Sequence, residues 1–266
     1  MVTFPTNTEP ELTRQPAASN SAIFRFYEEL NDFLPREKQK QAFHHRFAPH
    51  QTIKDIIESL GVPHPEVELI LVDGVSVDFS HRPPDGSRVA IFPMFESFDI
   101  SAEVRLPGRP LRRIAFVLDV HLGKLARRLR LSGFDCLWRN DYDDVEIVNI
   151  AHDEHRCILT RDRRLLFARD ITHGYWLRET DPDRHWREVL SRFDLVAQMR
   201  PFSRCPRCNG VVHTVSKSSV QDRLWPKTLR YYDDFYQCDS CHQVYWDGPH
   251  MPGLQKLLAK AKLPLF

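Results

Sequence analysis

Ile114-Ala-Phe-Val-Leu-Asp-Val-His-Leu-Gly-Lys-Leu-Ala-Arg-Arg-Leu-Arg-Leu-Ser-Gly133 is the stretch that decides the fold. Its first five residues form a continuous apolar run, the pattern of a strand buried on both faces of a parallel sheet. The run ends on Asp119. From 121 to 131 the period changes to that of a helix: Leu122, Leu125, Ala126 and Leu129 share one side of the wheel, with Lys124, Arg127, Arg128 and Arg130 spread over the rest. Gly133 stops it. The pattern then repeats. Residues 136–138 read as a second strand, 145–154 as a helix turning Ile147, Ile150 and Ala151 to the core, and 157–160 as a third buried strand. A fourth strand is expected at 174–177 and a last helix at 184–193. Alternating strands and helices predict a parallel α/β sheet with ligands beyond the C-terminal strand ends.

Three acids fall at such ends. Asp119 and Asp162 follow strands directly, and Asp144 opens a helix that should begin on the same edge. Converging carboxylates repel one another, and their hard oxygens suit magnesium or manganese. Such an ion would polarise a phosphodiester and lower the pKa of an attacking water. Lys124, Arg127, Arg128 and Arg161 would hold the phosphate backbone. Each residue also has a plainer reading. Asp119 and Asp144 serve equally as helix caps, Asp162 as a turn residue, and the arginine-rich face as solvated surface. Asp141, Asp143 and Glu146 rank second, because acids at a helix start often only compensate its dipole.

Cys205-Pro-Arg-Cys208 and Cys238-Asp-Ser-Cys241 supply four thiolates, the donor set of a structural zinc ribbon. A redox dithiol would need only one pair. His213 and His242 lie nearby, but four thiolates already close the shell. Between the pairs, Lys217, Arg223, Lys227 and Arg230 interleave with Trp225, Tyr231, Tyr232 and Phe235, a mixture that suits single-stranded RNA or simply supports a small hairpin. Cys136 and Cys157 sit on strands as core residues. A short amphipathic helix over 254–263 would pack on the ribbon or touch nucleic acid.

Composition agrees with a soluble, multidomain chain: 266 residues, 42% hydrophobic and 27% charged. No apolar run reaches the length that spans a bilayer, and the N-terminus lacks a signal-peptide layout, so a cytoplasmic protein is expected. The net charge of +1 hides an asymmetry: residues 1–108 carry 10 lysines and arginines against 16 acids, and residues 109–266 carry 27 against 20. A polyanion would prefer the second half.

Residues 1–20 lack apolar periodicity and read as a disordered tail. Strands at 23–26 and 42–47 follow, with a short helical turn at 28–33 between them. Thr52 then caps a helix over 53–60 whose Ile53, Ile56, Ile57 and Leu60 form a stripe. A strand at 68–72, the turn Asp73-Gly74, a short strand at 75–77 and a strand at 88–92 complete the unit. This order resembles the β-grasp fold of ubiquitin-like proteins, and the Val-Asp-Gly and Asp-Gly-x-x-Val-Ala-Ile-Phe-Pro motifs resemble its sulfur-carrier branch. Sulfur carriers end in Gly-Gly. Here the chain continues as Pro93-Met-Phe-Glu-Ser-Phe98, so docking is expected rather than sulfur transfer.

The stretches 116–135, Arg139-Asn-Asp-Tyr-Asp-Asp144 and Ile158-Leu-Thr-Arg-Asp-Arg-Arg-Leu-Leu166 resemble the Mut-seven C-terminal ribonuclease family, which is PIN-like. Many of its bacterial members carry a ubiquitin-like domain in front. The resemblance implies that Asp119, Asp144 and Asp162 match the PIN aspartates after the first strand, at a later helix start and in Thr-x-Asp. The further acid of many PIN enzymes has no counterpart in 120–140, where Asp135 is the only acid. The chain is therefore expected to divide into a tail (1–20), a ubiquitin-like α+β domain (21–106), an α/β PIN-like domain (112–200), a zinc ribbon (201–250) and a C-terminal helix and tail (251–266), with the boundary at the turn-rich 107–110. The activity implied is a metal-dependent ribonuclease using magnesium or manganese, with structural zinc, an RNA substrate and a protein partner for the front domain. The competing expectation is a non-catalytic RNA- or ribosome-binding adaptor.

Overall fold

The computed structural model describes residues 19–93, 114–249 and 251–262. The tail at 1–18 and residues 94–113, with the continuation past Pro93 and the proposed boundary at 107–110, lie outside the described residues.

The first sheet holds β1 (Asn20–Phe26), β2 (Phe43–Phe47), β3 (Val67–Val72), β4 (Val75–Val77) and β5 (Arg88–Pro93) in the order β2-β1-β5-β3-β4. β1 and β5 run parallel and every other pair is antiparallel. This is the β-grasp arrangement. Helix α1 (Ile53–Ser59) packs Ile53, Ile56 and Ile57 onto Phe24, Phe26, Ile70 and Ile91, all buried. Thr52 caps it reciprocally: Asp55 N donates to Thr52 Oγ1, and Thr52 N donates to Asp55 Oδ2 at 2.9 Å. Asp73 and Gly74 both take left-handed φ values, 50° and 85°, which the tight β3–β4 turn requires.

The second sheet is wholly parallel. It contains β6 (Ala115–Leu118), β7 (Asp135–Leu137), β8 (Cys157–Thr160) and β9 (Gly174–Trp176) in the order β7-β6-β8-β9. Every residue of β6 and β8 is buried, as their apolar runs dictate. α2 (Gly123–Leu131) and α4 (Pro182–Arg192) cover one face through Leu125, Ala126, Leu129, Trp186, Val189 and Leu190. α3 (Asp144–Asp153) covers the other through Ile147 and Ala151. α2 begins two residues later than its periodicity suggests, because a 3-10 turn over Val120–Leu122 precedes it. A Cβ on Gly123 would lie 2.6 Å from the Trp138 ring, so the chain passes only as glycine.

The third sheet is antiparallel: β10 (Val212–Val215), β11 (Phe235–Cys238) and β12 (Val244–Trp246), with α5 (Lys217–Val220) and α6 (Pro226–Tyr231) between its first two strands. Its core is small, centred on Val220, Phe235 and Val244. α7 (Met251–Ala259) packs Leu257 and Leu258 on the central α/β core, while its Met251 and Leu254 line a cleft shared with the ribbon residues Val212, Val244 and Trp246.

A polar seam joins the first two layers. Between the first two sheets, the fully buried Glu66 carboxylate accepts from Trp176 N at 2.5 Å and pairs with Arg178 at 3.2 Å. Burial pushes this carboxyl up, and the Arg178 and Arg192 charges pull it back. Asp32–Arg178 (3.0 Å) and Glu29–Arg192 (2.8 Å) flank it. His64 bridges the same seam, with Nε2 2.8 Å from Ile171 O and Nδ1 2.6 Å from Glu58. The acidic front thus spends part of its charge on the arginines of the centre.

Candidate active edge and metal centre

At the C-terminal edge of β6 and β8, one hydroxyl links two of the expected acids. Thr160 Oγ1 donates to Asp119 Oδ2 at 2.7 Å and accepts from Asp162 N at 2.8 Å. Asp119 N donates to Leu159 O at 3.1 Å, fixing the start of its side chain. Asp162 Oδ1 accepts from Arg164 N at 2.8 Å. Each carboxylate keeps an oxygen with no hydrogen-bond partner among the described residues. Thr160 itself was not singled out from the sequence. Its signal is a hydroxyl two residues before an acid at a strand end, where short side chains bond the neighbouring backbone.

Asp144 is the first residue of α3 and is exposed. α3 returns across the sheet from the end of β7, so its first turn lies at the same edge. The capping role goes to Asp143: Glu146 N donates to Asp143 Oδ1 at 2.7 Å, and Asp143 N donates to Glu146 Oε2 at 3.1 Å. The spacing Asp-x-x-Glu already carried this capping box. Asp141 is held by Arg139 at 2.8 and 2.7 Å, which keeps its carboxyl below the usual range. Within the acidic run, the second-rank acids Asp141, Asp143 and Glu146 are thus occupied locally, and Asp144 makes no side-chain bond among the described residues. Asp119, Asp144 and Asp162 do not gather as tightly as the cysteines do: among the described residues, only Cys205, Cys208, Cys238 and Cys241 bring their ligand atoms within 4.8 Å of one another.

Of the basic residues, Lys124, Arg127 and Arg161 are exposed. Arg161 also reaches Thr180 O at 3.4 Å, and the half-buried Arg128 donates to Pro182 O at 3.3 Å. Arg130 corrects the helical-wheel reading. It is 3% exposed and donates to Cys136 O, Trp138 O, Pro206 O and Arg207 O. Its last two acceptors are the peptide oxygens inside the first Cys-x-x-Cys.

That knuckle is fastened to β7 by more than Arg130. Cys136 N donates to Asn209 Oδ1 at 2.9 Å, and Asn209 Nδ2 donates to Asp135 Oδ1 at 2.8 Å. Asp135 also pairs with Arg156 at 2.8 Å and Arg204 at 3.0 Å. Partial burial pushes its carboxyl up, but Arg156 and Asn209 outweigh this and hold it low. The lone acid of 120–140 is therefore a structural anchor.

In the thiol cluster, Cys205 and Cys241 sulfurs lie 3.6 Å apart and Cys208 and Cys238 sulfurs 3.4 Å apart. Zinc–sulfur bonds of about 2.3 Å imply tetrahedral edges of roughly 3.8 Å, so four soft donors at this spacing fit zinc. Asn209 and His242, one residue beyond each pair, take left-handed φ values of 76° and 58° and close the two knuckles alike. The Tyr245 hydroxyl lies 2.9 Å from Cys205 Sγ. His213 and His242 stay outside the quartet, as expected.

Comparison with known families assigns both halves of the chain. The Mut7-C RNAse domain matches residues 114–258, running across the four-cysteine module, and the Mut7-C ubiquitin domain matches residues 19–99. No curated protein matches significantly. Among solved structures, the solution structure of the Haloferax volcanii HVO 2177 protein aligns at 17% identity over 35% of this chain and 100% of its own, with a TM-score of 0.26.

Proposed function

From the premise that this chain belongs to the Mut7-C RNAse domain family, we propose that it hydrolyses RNA phosphodiester bonds at the edge bearing Asp119, Asp144 and Asp162. The reading is carried by one observation, the Asp119–Thr160–Asp162 linkage at the ends of two adjacent buried parallel strands. Ligands of open α/β sheets sit at such an edge, and β6 and β8 flank the point where the strand order reverses. The donors there are hard carboxylate oxygens, which fit magnesium or manganese. When bound, such an ion supplies charge for the phosphate and a lowered pKa for the attacking water.

The chain's own groups do the rest. Asp119 and Asp162 would hold the ion from the strand ends and Asp144 from the start of α3. Thr160 keeps the Asp119 carboxylate in one orientation. Lys124, Arg127 and Arg161 would take the non-reacting phosphates. Zinc on the four cysteines is structural, and the protein works in the cytoplasm, with a protein partner for its ubiquitin-like domain.

A second reading, RNA binding without cleavage, rests on the zinc module. Trp225 and Tyr231 are 80% and 70% exposed beside Lys227 and Arg230, and bare rings among cations suit unstacked bases. Incubating the full chain with single-stranded and structured RNA, in manganese or in chelator, separates the two. Manganese-dependent cleavage that vanishes in Asp119→Asn supports the hydrolase. Salt-sensitive binding without cleavage replaces it with the adaptor.

A further inference from the structure

We infer that Trp176 is a positioning residue for the acidic edge, and that the ubiquitin-like domain holds it in place. The inference rests on the hydrolase reading and deepens it.

One peptide unit carries the argument. The amide between Arg161 and Asp162 is gripped at both ends: its N–H donates to Thr160 Oγ1 at 2.8 Å, and its oxygen accepts from Trp176 Nε1 at 3.3 Å. The first grip continues through Thr160 to Asp119. The orientation of the Asp162 carboxylate relative to Asp119 therefore depends on a plane clamped by Thr160 on one side and an indole on the other. A tryptophan that only filled space would not need its N–H directed at this carbonyl.

Trp176 is the last residue of β9, paired in register with Thr160. What fixes it comes largely from the front domain. Glu66, fully buried, accepts from its backbone N–H at 2.5 Å while pairing with Arg178. Phe33 packs on the indole at 5.4 Å. Arg163 lies over the same ring, 3.8 Å from its centre, and donates to Asp32 O at 3.2 Å. Glu66, Phe33 and Asp32 all belong to the ubiquitin-like unit. A charge-assisted bond to a buried carboxylate is stronger than its neutral counterpart, so the front domain acts on the edge through a short, stiff path.

The test uses the full chain and three readouts: RNA cleavage, binding of Mn²⁺ alone by electron paramagnetic resonance, and hydrogen exchange at the Asp162 amide. Trp176→Phe keeps an aromatic ring and removes the N–H donor. The expected result is about a tenfold lower kcat with KM within about twofold, manganese affinity weakened several-fold, and Asp162 exchange about tenfold faster, the scale of one hydrogen bond. Glu66→Gln, which keeps an acceptor and removes the charge, should shift kcat and Asp162 exchange in the same direction by a few-fold. Unchanged kcat, manganese affinity and exchange in Trp176→Phe overturn the proposal. So does a lower melting temperature with kcat per folded molecule and manganese affinity intact, the mark of a space-filling ring. Unchanged exchange in Glu66→Gln overturns the part played by the front domain. If the wild type cleaves no RNA, the hydrolase reading fails, and exchange with manganese binding still decides the role of Trp176.

Discussion

Thr160 and Asp119 meet across adjacent strands through a 2.7 Å hydrogen bond, although they stand 41 positions apart in the chain. Replacing the hydroxyl with a methyl of the same size, Thr160→Val, leaves the partly buried Asp162 N–H without its side-chain acceptor and Asp119 without its donor. Stability should fall by about 0.5–1.5 kcal/mol, and manganese-dependent cleavage by at least about tenfold. Denaturant titration and single-turnover kinetics check both. Cleavage at the wild-type rate would remove Thr160 from the working site.

The acids at the start of α3 should separate cleanly. Asp143→Ala loses the cap and costs about 1 kcal/mol of stability, with cleavage within a few-fold. Asp144→Asn should do the reverse, abolishing cleavage without lowering the melting temperature. The opposite pattern would transfer the metal-holding role to Asp143.

One zinc per chain is expected by metal analysis, and Cys208→Ser should lose it. A module with so small a core does not hold its shape without the ion. Arg130→Ala should destabilise the central domain by about 2–4 kcal/mol, because four carbonyl acceptors and a buried cation lose their match. Calorimetry showing a loss below about 0.5 kcal/mol would contradict the anchoring role.

Acid should weaken the fold through His173. Burial and the nearby His155 hold its imidazole down at about 4. The unfolded chain binds this proton near pH 6.5, so stability is full above that pH and is lost as pH falls toward 4, on the order of 1–3 kcal/mol. His173→Gln should flatten this slope in denaturant titrations between pH 4 and 8. An unaltered slope would assign the acid sensitivity elsewhere.

Reversing Lys124 and Arg127 to glutamate should weaken RNA binding uniformly across sequences and reduce the salt dependence by about one unit of slope per lost phosphate contact. A variant whose affinity follows salt as the wild type does would place the RNA track elsewhere, with the zinc module the next surface to examine.

Much of the architecture was legible because local rules agreed with the tertiary outcome. Unbroken apolar runs marked β6 and β8, Asp73-Gly74 marked a hairpin, and paired Cys-x-x-Cys marked the thiolate quartet. What escaped was long-range. A helical wheel assigns Arg130 to solvent, because two of its four acceptors lie on β7 and the turn after it and the other two 76 and 77 residues downstream. The Glu66–Trp176 bond spans 110 residues and leaves no periodicity to read. Asp135 looks like any strand-start acid until Arg156, Arg204 and Asn209 surround it. The choice between Asp143 and Asp144 turned on a one-residue offset that the Asp-x-x-Glu pattern could have settled.

The fastening of the first cysteine knuckle to β7 has a consequence for how the molecule is made. Synthesis runs from the N-terminus, and upstream units fold first. When a ribosome has released the chain only as far as residue 200, α2 and β7 are complete, yet Arg130 lacks its knuckle carbonyls, and Asp135 lacks Arg204 and Asn209. The acids of the proposed cutting edge are present by then, but the layer behind them is not yet braced. A product cut short before its cysteines would leave Arg130 and Asp135 without half of their partners and invite degradation. The protein thereby makes its own completion a condition for a durable cutting edge.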